Sequence, residues 1–167
     1  MSTNRDWQKR LVLGGVFAAI ICLLTFFTRV PVLGTGAYIH LGDSAIYLGA
    51  FLLGPLYGAA AAGIGSMFAD LFAGASQYML VTFIVKALMA VIVGVWLSKM
   101  DDTTSVRKVI VPLCVAAAWM MAGYFLYDIA LVDLAYALGG LLFNLIQAVA
   151  GVLIAIPLIN LTGKYKL

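Results

Sequence analysis

The sequence predicts an all-α integral membrane protein, a compact bundle of six transmembrane helices with both termini cytoplasmic, and three observations carry that expectation. Hydrophobic residues make up 65% of the 167 and charged residues 10%, with a mean hydropathy of +1.10, too little polar surface to cover a water-soluble globule. The apolar residues fall into runs near the ~20 that a membrane helix needs, and six such runs occupy the chain as one domain, residues 1–167. The basic residues gather on one side of the resulting topology.

The first run, Leu11 to Thr28, follows Arg5, Lys9 and Arg10. It is too long for a typical signal core and no small-x-small cleavage site follows it, so it is expected to be retained. The others are Gly42 to Leu53, which is short, then Leu56 to Ala73, Tyr78 to Leu97, Val109 to Tyr127 and Ala137 to Leu161. Six spans put the termini, the second-to-third loop and the fourth-to-fifth loop on one side. That side collects Arg5, Lys9, Arg10, Lys99, Arg107, Lys108, Lys164 and Lys166, eight of the ten basic residues, and is expected to be cytoplasmic. Asp43, Asp70, Asp128 and Asp133 fall toward the outer ends, whereas Asp6, Asp101 and Asp102 are cytoplasmic.

Small residues recur four apart in the third run, at Ala59/Gly63 and Ala61/Gly65, and in the first, at Gly14/Ala18 and Gly15/Ala19. Such spacing lets helix backbones approach closely, either inside one bundle or against another protein. Cys22 and Cys114 lie within apolar runs and read as packing residues.

Polar residues inside the spans are the candidates for function. Lys86 lies about 12 Å below the outer end of the fourth span, with Thr82 one turn above it. Asp70, near the outer end of the preceding span, is the expected counter-ion. The two either form a structural ion pair or line an outward-facing pocket. Asn144 and Gln147 share one face of the last span and bring two carboxamides to a similar depth. Tyr47, Tyr78, Phe83, Trp119, Tyr124, Tyr127 and Tyr136 offer aromatic walls, although Tyr78, Tyr127 and Tyr136 equally suit an interfacial belt. His40 is the single histidine and sits on the outer approach to the second span beside Asp43, which serves either the pocket or the helix start.

Several chemistries are excluded. With no glutamate and one histidine the chain has no zinc-protease motif and no multi-histidine metal site, and Gly63-Ile64-Gly65-Ser66 continues into Met67 rather than glycine. No phosphate-binding loop is present, so ATP use would belong to a partner. No catalytic set, no bound cofactor and no nucleic-acid partner are expected. The chain is also short for an inverted-repeat carrier.

Tyr38-Ile39-His40-Leu41-Gly42-Asp43-Ser44, Phe51 to Ala59, Gly63 to Leu71 and Thr82 to Met89 resemble the substrate-binding S-components of energy-coupling factor (ECF) transporters. The branch most resembled takes riboflavin, hydroxymethylpyrimidine and vitamin B6 compounds. The resemblance implies a vitamin-binding bundle in a bacterial plasma membrane, partnered by a transmembrane coupling protein and two cytoplasmic ATPases, that topples to deliver its ligand. It implies a coupling surface on the first helix, matched loosely by Gly14/Ala18 or Gly15/Ala19. It also implies an outer pocket with Lys86, Asn144 and Gln147 in the wall and His40 near a lid between the first two helices.

On this reading Lys86 and Asp70 supply charge, Asn144 and Gln147 read a ring edge or hydroxyls, and Trp119 or Tyr124 stacks on a flat ring. Asp43, Tyr78 and Thr82 complete the candidate set. A B6 vitamer or a pyrimidine fits; pantothenate, whose carboxylate would meet Lys86, and riboflavin are the competitors. Lys86→Ala is expected to abolish binding with folding retained. The reading of a different class is a self-sufficient oligomeric channel or carrier.

Overall fold

The computed structural model describes residues 2–31, 38–100 and 105–163, and is built almost entirely from five long apolar helices. They are α1 (Ser2–Phe27), α2 (Gly42–Ala73), α3 (Met79–Ser98), α4 (Val106–Leu131) and α5 (Leu134–Thr162). Each is long and apolar enough to cross a membrane. Lys164, Lys166, Asp101 and Asp102, used above for orientation, lie outside the described residues, as does the part of the expected lid from 32 to 37.

The second and third expected spans are the two arms of α2. Gly54 has φ 79° and ψ −179° in the middle of the element, a backbone state open to glycine and closed to most other residues. Pro55 follows without an N–H and disfavours helix in the residue before it. The arms double back: a Cβ on Gly58 would lie 2.7 Å from the Ala50 Cα, whereas residues eight apart in an unbroken helix are separated by about 12 Å. The turn is held from both sides. Arg10 of α1 donates to the Leu53 carbonyl at 3.3 Å, and Gly94 of α3 leaves no room for a side chain, since a Cβ there would meet Pro55 Cα at 2.7 Å.

α2 is the centre of the bundle, packed against α1, α3 and α5, with α4 closing the circuit between α3 and α5. Its small residues are used for packing. A side chain on Gly63 would strike the Phe83 ring, so Phe83 braces α3 on α2. A side chain on Gly65 would run into the Ala18 backbone. Gly14 and Ala18 therefore face the bundle, while Gly15 and Ala19, the alternative pair on the same helix, are exposed.

At the end of α1 a two-residue antiparallel ladder, β1 (Val30–Pro31) with β2 (Tyr38–Ile39), returns the chain to α2. Thr28 Oγ1 accepts from the Leu41 N–H at 2.9 Å. Tyr38 and His40 are thereby fixed at the end of the bundle where both ends of α2 meet. α2 stops at Gly74, whose φ of 76° is a left-handed helix end. α5 starts at Asp133, whose carboxylate accepts from the Tyr136 N–H at 2.8 Å.

Candidate functional site

The doubling back of α2 brings Asp43, in its first turn, and Asp70, in its last, to the same end of the molecule. A cavity of about 60 Å³ opens there among β2, α2, α3, α4 and α5, lined by Tyr38, His40, Asp70, Tyr78, Thr82, Tyr124, Asp128, Gly140, Phe143, Asn144 and Gln147. Seven of the residues expected from the sequence are on that wall: His40, Asp70, Tyr78, Thr82, Tyr124, Asn144 and Gln147.

Lys86 is not. Its side chain is completely buried beneath the cavity, and its counter-ion is Asp43 rather than Asp70, with Nζ 2.5 Å from Asp43 Oδ1. The first arm of α2 is rotated so that Asp43 points into the bundle, where the close passage of Gly151 on α5 leaves room for it. Lys86 Nζ also reaches Met120 Sδ at 3.1 Å and lies 5.5 Å from the centre of the Tyr124 ring. Asp43 Oδ2 accepts from Gln147 Nε2 at 2.9 Å, and Gln147 Oε1 accepts from the His40 N–H at 3.1 Å. Every ionic group in this layer is thus partnered, as a buried pair requires.

Trp119 is also displaced from its expected role. Its indole N–H donates to the Val85 carbonyl at 3.1 Å and its side chain is partly exposed on the outside of the bundle. The neighbouring residue Met120 is the one turned inward, and Tyr124 alone of the two aromatics faces the cavity. Tyr47 is wholly buried elsewhere, its hydroxyl 3.4 Å from the Leu113 carbonyl.

The cavity wall itself is acidic. Asp70 and Asp128 are the charged groups on it, and no lysine or arginine is among the described lining residues. Tyr78 donates to Asp128 Oδ1 at 2.8 Å and meets the Tyr136 hydroxyl at 3.1 Å. Tyr124 donates to Thr82 Oγ1 at 3.1 Å. The Tyr38 hydroxyl donates to Asp70 Oδ1, and burial together with that carboxylate holds the phenol above its ordinary range, so it stays a donor. The other Asp70 oxygen, Oδ2, is buried and makes no hydrogen bond of ordinary geometry among the described residues, the Thr82 hydroxyl being the donor beside Asp70. An ungratified buried acceptor in a cavity wall is a place for a ligand donor.

Tyr38, Asp128, Gly140 and Phe143 were missed. Gly140, Phe143, Asn144 and Gln147 are spaced i, i+3, i+4 and i+7, one face of α5, so the pattern was present in the sequence. Tyr38 lies in the irregular segment before α2, where no periodicity announces which way a side chain points.

His40 Nδ1 accepts from the Gly42 N–H at 3.1 Å, which requires a neutral ring. Burial pushes this imidazole down to about 4; nearby Asp43 opposes the shift and Lys86 adds to it. Between about pH 6.5 and 4 the unfolded chain therefore takes up a proton that the folded one refuses, so this contribution to stability is complete above pH 6.5 and is lost on acidification through that window. Thermal melts in detergent are expected to drop more steeply across this range for the natural chain than for His40→Gln.

Residues 7–164 match the family described as ECF-type riboflavin transporter, S component. The chain belongs to that family. It is a multi-pass membrane protein and a transporter subunit by kinship. A relative from Pyrococcus woesei, named as an uncharacterized protein in gap 3'region, is 32% identical over 134 residues, 80% of this chain and 88% of its own. The thiamine precursor transporter HmpT of Lactococcus lactis subsp. cremoris is 28% identical over 159 residues, 93% of this chain and 90% of its own.

Proposed function

We propose that this S-component captures a small, flat, donor-bearing vitamin precursor, an aminopyrimidine such as hydroxymethylpyrimidine first and an unphosphorylated B6 vitamer second. The observation that carries the reading is the unpartnered Asp70 Oδ2 in a wall holding two carboxylates and no described cation. An exocyclic amine gives that oxygen a partner; Tyr78 and Tyr124 offer ring faces, and Asn144 offers both a donor and an acceptor. The name of the Lactococcus relative favours the same ligand class.

Two competitors lose ground on the same observations. Pantothenate would bring a carboxylate to Asp70 and Asp128 while Lys86, its expected partner, is sealed below against Asp43. Riboflavin has three fused rings, and a cavity of about 60 Å³ is smaller than the ~150 Å³ that accommodates benzene in an engineered core. Even one ring requires the wall to open, and three fused rings require it to open further.

The protein would cross the plasma membrane six times with both termini inside, α2 being a hairpin whose 12-residue first arm nears spanning length only together with the segment from Tyr38 that leads into it. Transport would need a membrane coupling protein and two ATPases that consume ATP, docked on the face of α1 that carries Gly15 and Ala19. The test is calorimetric titration of the detergent-purified chain with hydroxymethylpyrimidine, pyridoxine, pantothenate and riboflavin, since Trp119 is off the cavity and unsuited as an optical reporter. One-to-one binding of hydroxymethylpyrimidine or pyridoxine, tightest of the four, is the expected result. Tightest binding of pantothenate or riboflavin sinks the proposal, as does uptake by the chain alone in liposomes.

A further inference from the structure

The buried layer under the cavity has no place in ligand contact, yet it is fully ionic and ends on a residue that does line the wall. We infer that Lys86 and Asp43 are positioning residues that set the hydrogen-bond polarity of the site through Gln147. The inference rests on the proposed pyrimidine ligand for its readout and on the described geometry for its logic.

Gln147 could face a ligand with either end of its amide. Asp43 Oδ2 can only accept and takes one Nε2 hydrogen at 2.9 Å; the His40 N–H can only donate and takes Oε1 at 3.1 Å. These two partners fix the amide orientation from opposite sides. The second Nε2 hydrogen has Met120 Sδ at 3.5 Å. Both donors of Gln147 are therefore spent below the cavity, and what remains toward it is a lone pair on Oε1. Asp43 can hold this position as a carboxylate because Lys86 lies 2.5 Å from its other oxygen; with neither that cation nor a hydroxyl donor, such as Tyr38 gives Asp70 and Tyr78 gives Asp128, a buried carboxylate would take up a proton, become a donor, and release the amide. The consequence is a wall where Gln147, Asp70 and Asp128 all present acceptors. Ligands are selected by the donors on their edge, and analogues carrying an acceptor there are rejected because two lone pairs would face each other.

The experiment measures a ratio. Affinities are determined for hydroxymethylpyrimidine and for its 4-oxo analogue, which replaces the exocyclic amine by a carbonyl, with the natural chain, with the double variant Asp43→Leu/Lys86→Met, and with Met120→Leu. The natural chain is expected to prefer the amine. In the double variant Gln147 regains a free N–H, and the preference should fall by on the order of tenfold. Met120→Leu conserves volume and keeps the Lys86–Asp43 pair, although the sulfur is also lost to Lys86 Nζ; it frees the second hydrogen and should lower the ratio by a smaller factor. A purely structural role for the ion pair would weaken both ligands alike and leave the ratio unmoved, which overturns the inference. If the double variant does not fold, an unchanged ratio in Met120→Leu overturns it and a lowered one upholds it. A natural chain that binds neither pyrimidine overturns the proposed function, and this inference with it, whereas amine preference with unmoved ratios overturns the inference alone.

Discussion

Asp70→Asn is expected to weaken hydroxymethylpyrimidine binding by roughly 10- to 150-fold, the worth of a hydrogen bond to a charged group, about 1.5–3 kcal/mol. The substitution keeps the size and shape of the side chain and removes the charge to which the ligand amine would donate. The same change should leave the empty protein at least as heat-resistant as before, because Asp70 Oδ2 is buried without a partner and its desolvation is a cost borne until ligand arrives. Loss of affinity joined to unchanged or raised melting temperature is the signature of a binding residue held at the expense of stability. Calorimetric titration and thermal melts in one detergent measure both quantities. Equal affinity in the variant would remove Asp70 from the site.

Lys86 should behave in the opposite manner. Lys86→Ala leaves Asp43 buried beside no cation, and breaking such a pair costs about 3–5 kcal/mol, a fall in melting temperature on the order of 10 °C. The expectation from sequence, loss of binding with folding retained, changes accordingly: any loss of binding comes with a marked loss of stability. Asp43→Leu/Lys86→Met, which removes both charges and keeps apolar bulk, should recover most of the loss, since a well-packed apolar pair replaces a buried ionic one at little or no cost. A double variant no more stable than Lys86→Ala would contradict the ion pair as described. Detergent melts of the two proteins, compared with the natural chain, decide it.

What could be read from the sequence and what could not divide along a physical line. Hydropathy and length give most span ends to within a few residues, because a helix in lipid must bury its own backbone polar groups and is announced by a run of apolar residues; α1 is the exception and starts at Ser2, nine residues before the apolar run. The break at Gly54-Pro55 was equally plain from residue type. Rotation of a helix about its axis was not. Trp119 and Met120 are adjacent in sequence and about 100° apart around the helix, and in a span apolar on every side nothing but packing decides which turns inward. The choice between Asp43 and Asp70 as partner of Lys86 failed for the same reason: the hairpin brings both to one end, and the rotation of its first arm selects Asp43. Where polar residues recur on one face, as with Asn144 and Gln147, the face was legible, and both side chains line the cavity.

The hairpin also bears on how the chain enters the membrane. Its first arm, from Gly42 to the break at Gly54, is 12 residues and about 18 Å long, well short of the ~30 Å of hydrocarbon, and it carries Asp43. A segment that short and that charged is a poor substrate for insertion on its own, so it must enter clasped to the longer second arm, as a unit whose turn is already formed. Asp43 would then precede its counter-ion into the bilayer, because Lys86 lies 43 residues further along the chain. Biogenesis of the bundle would in this sense be sequential, with α3 the piece that neutralises what the hairpin brought in.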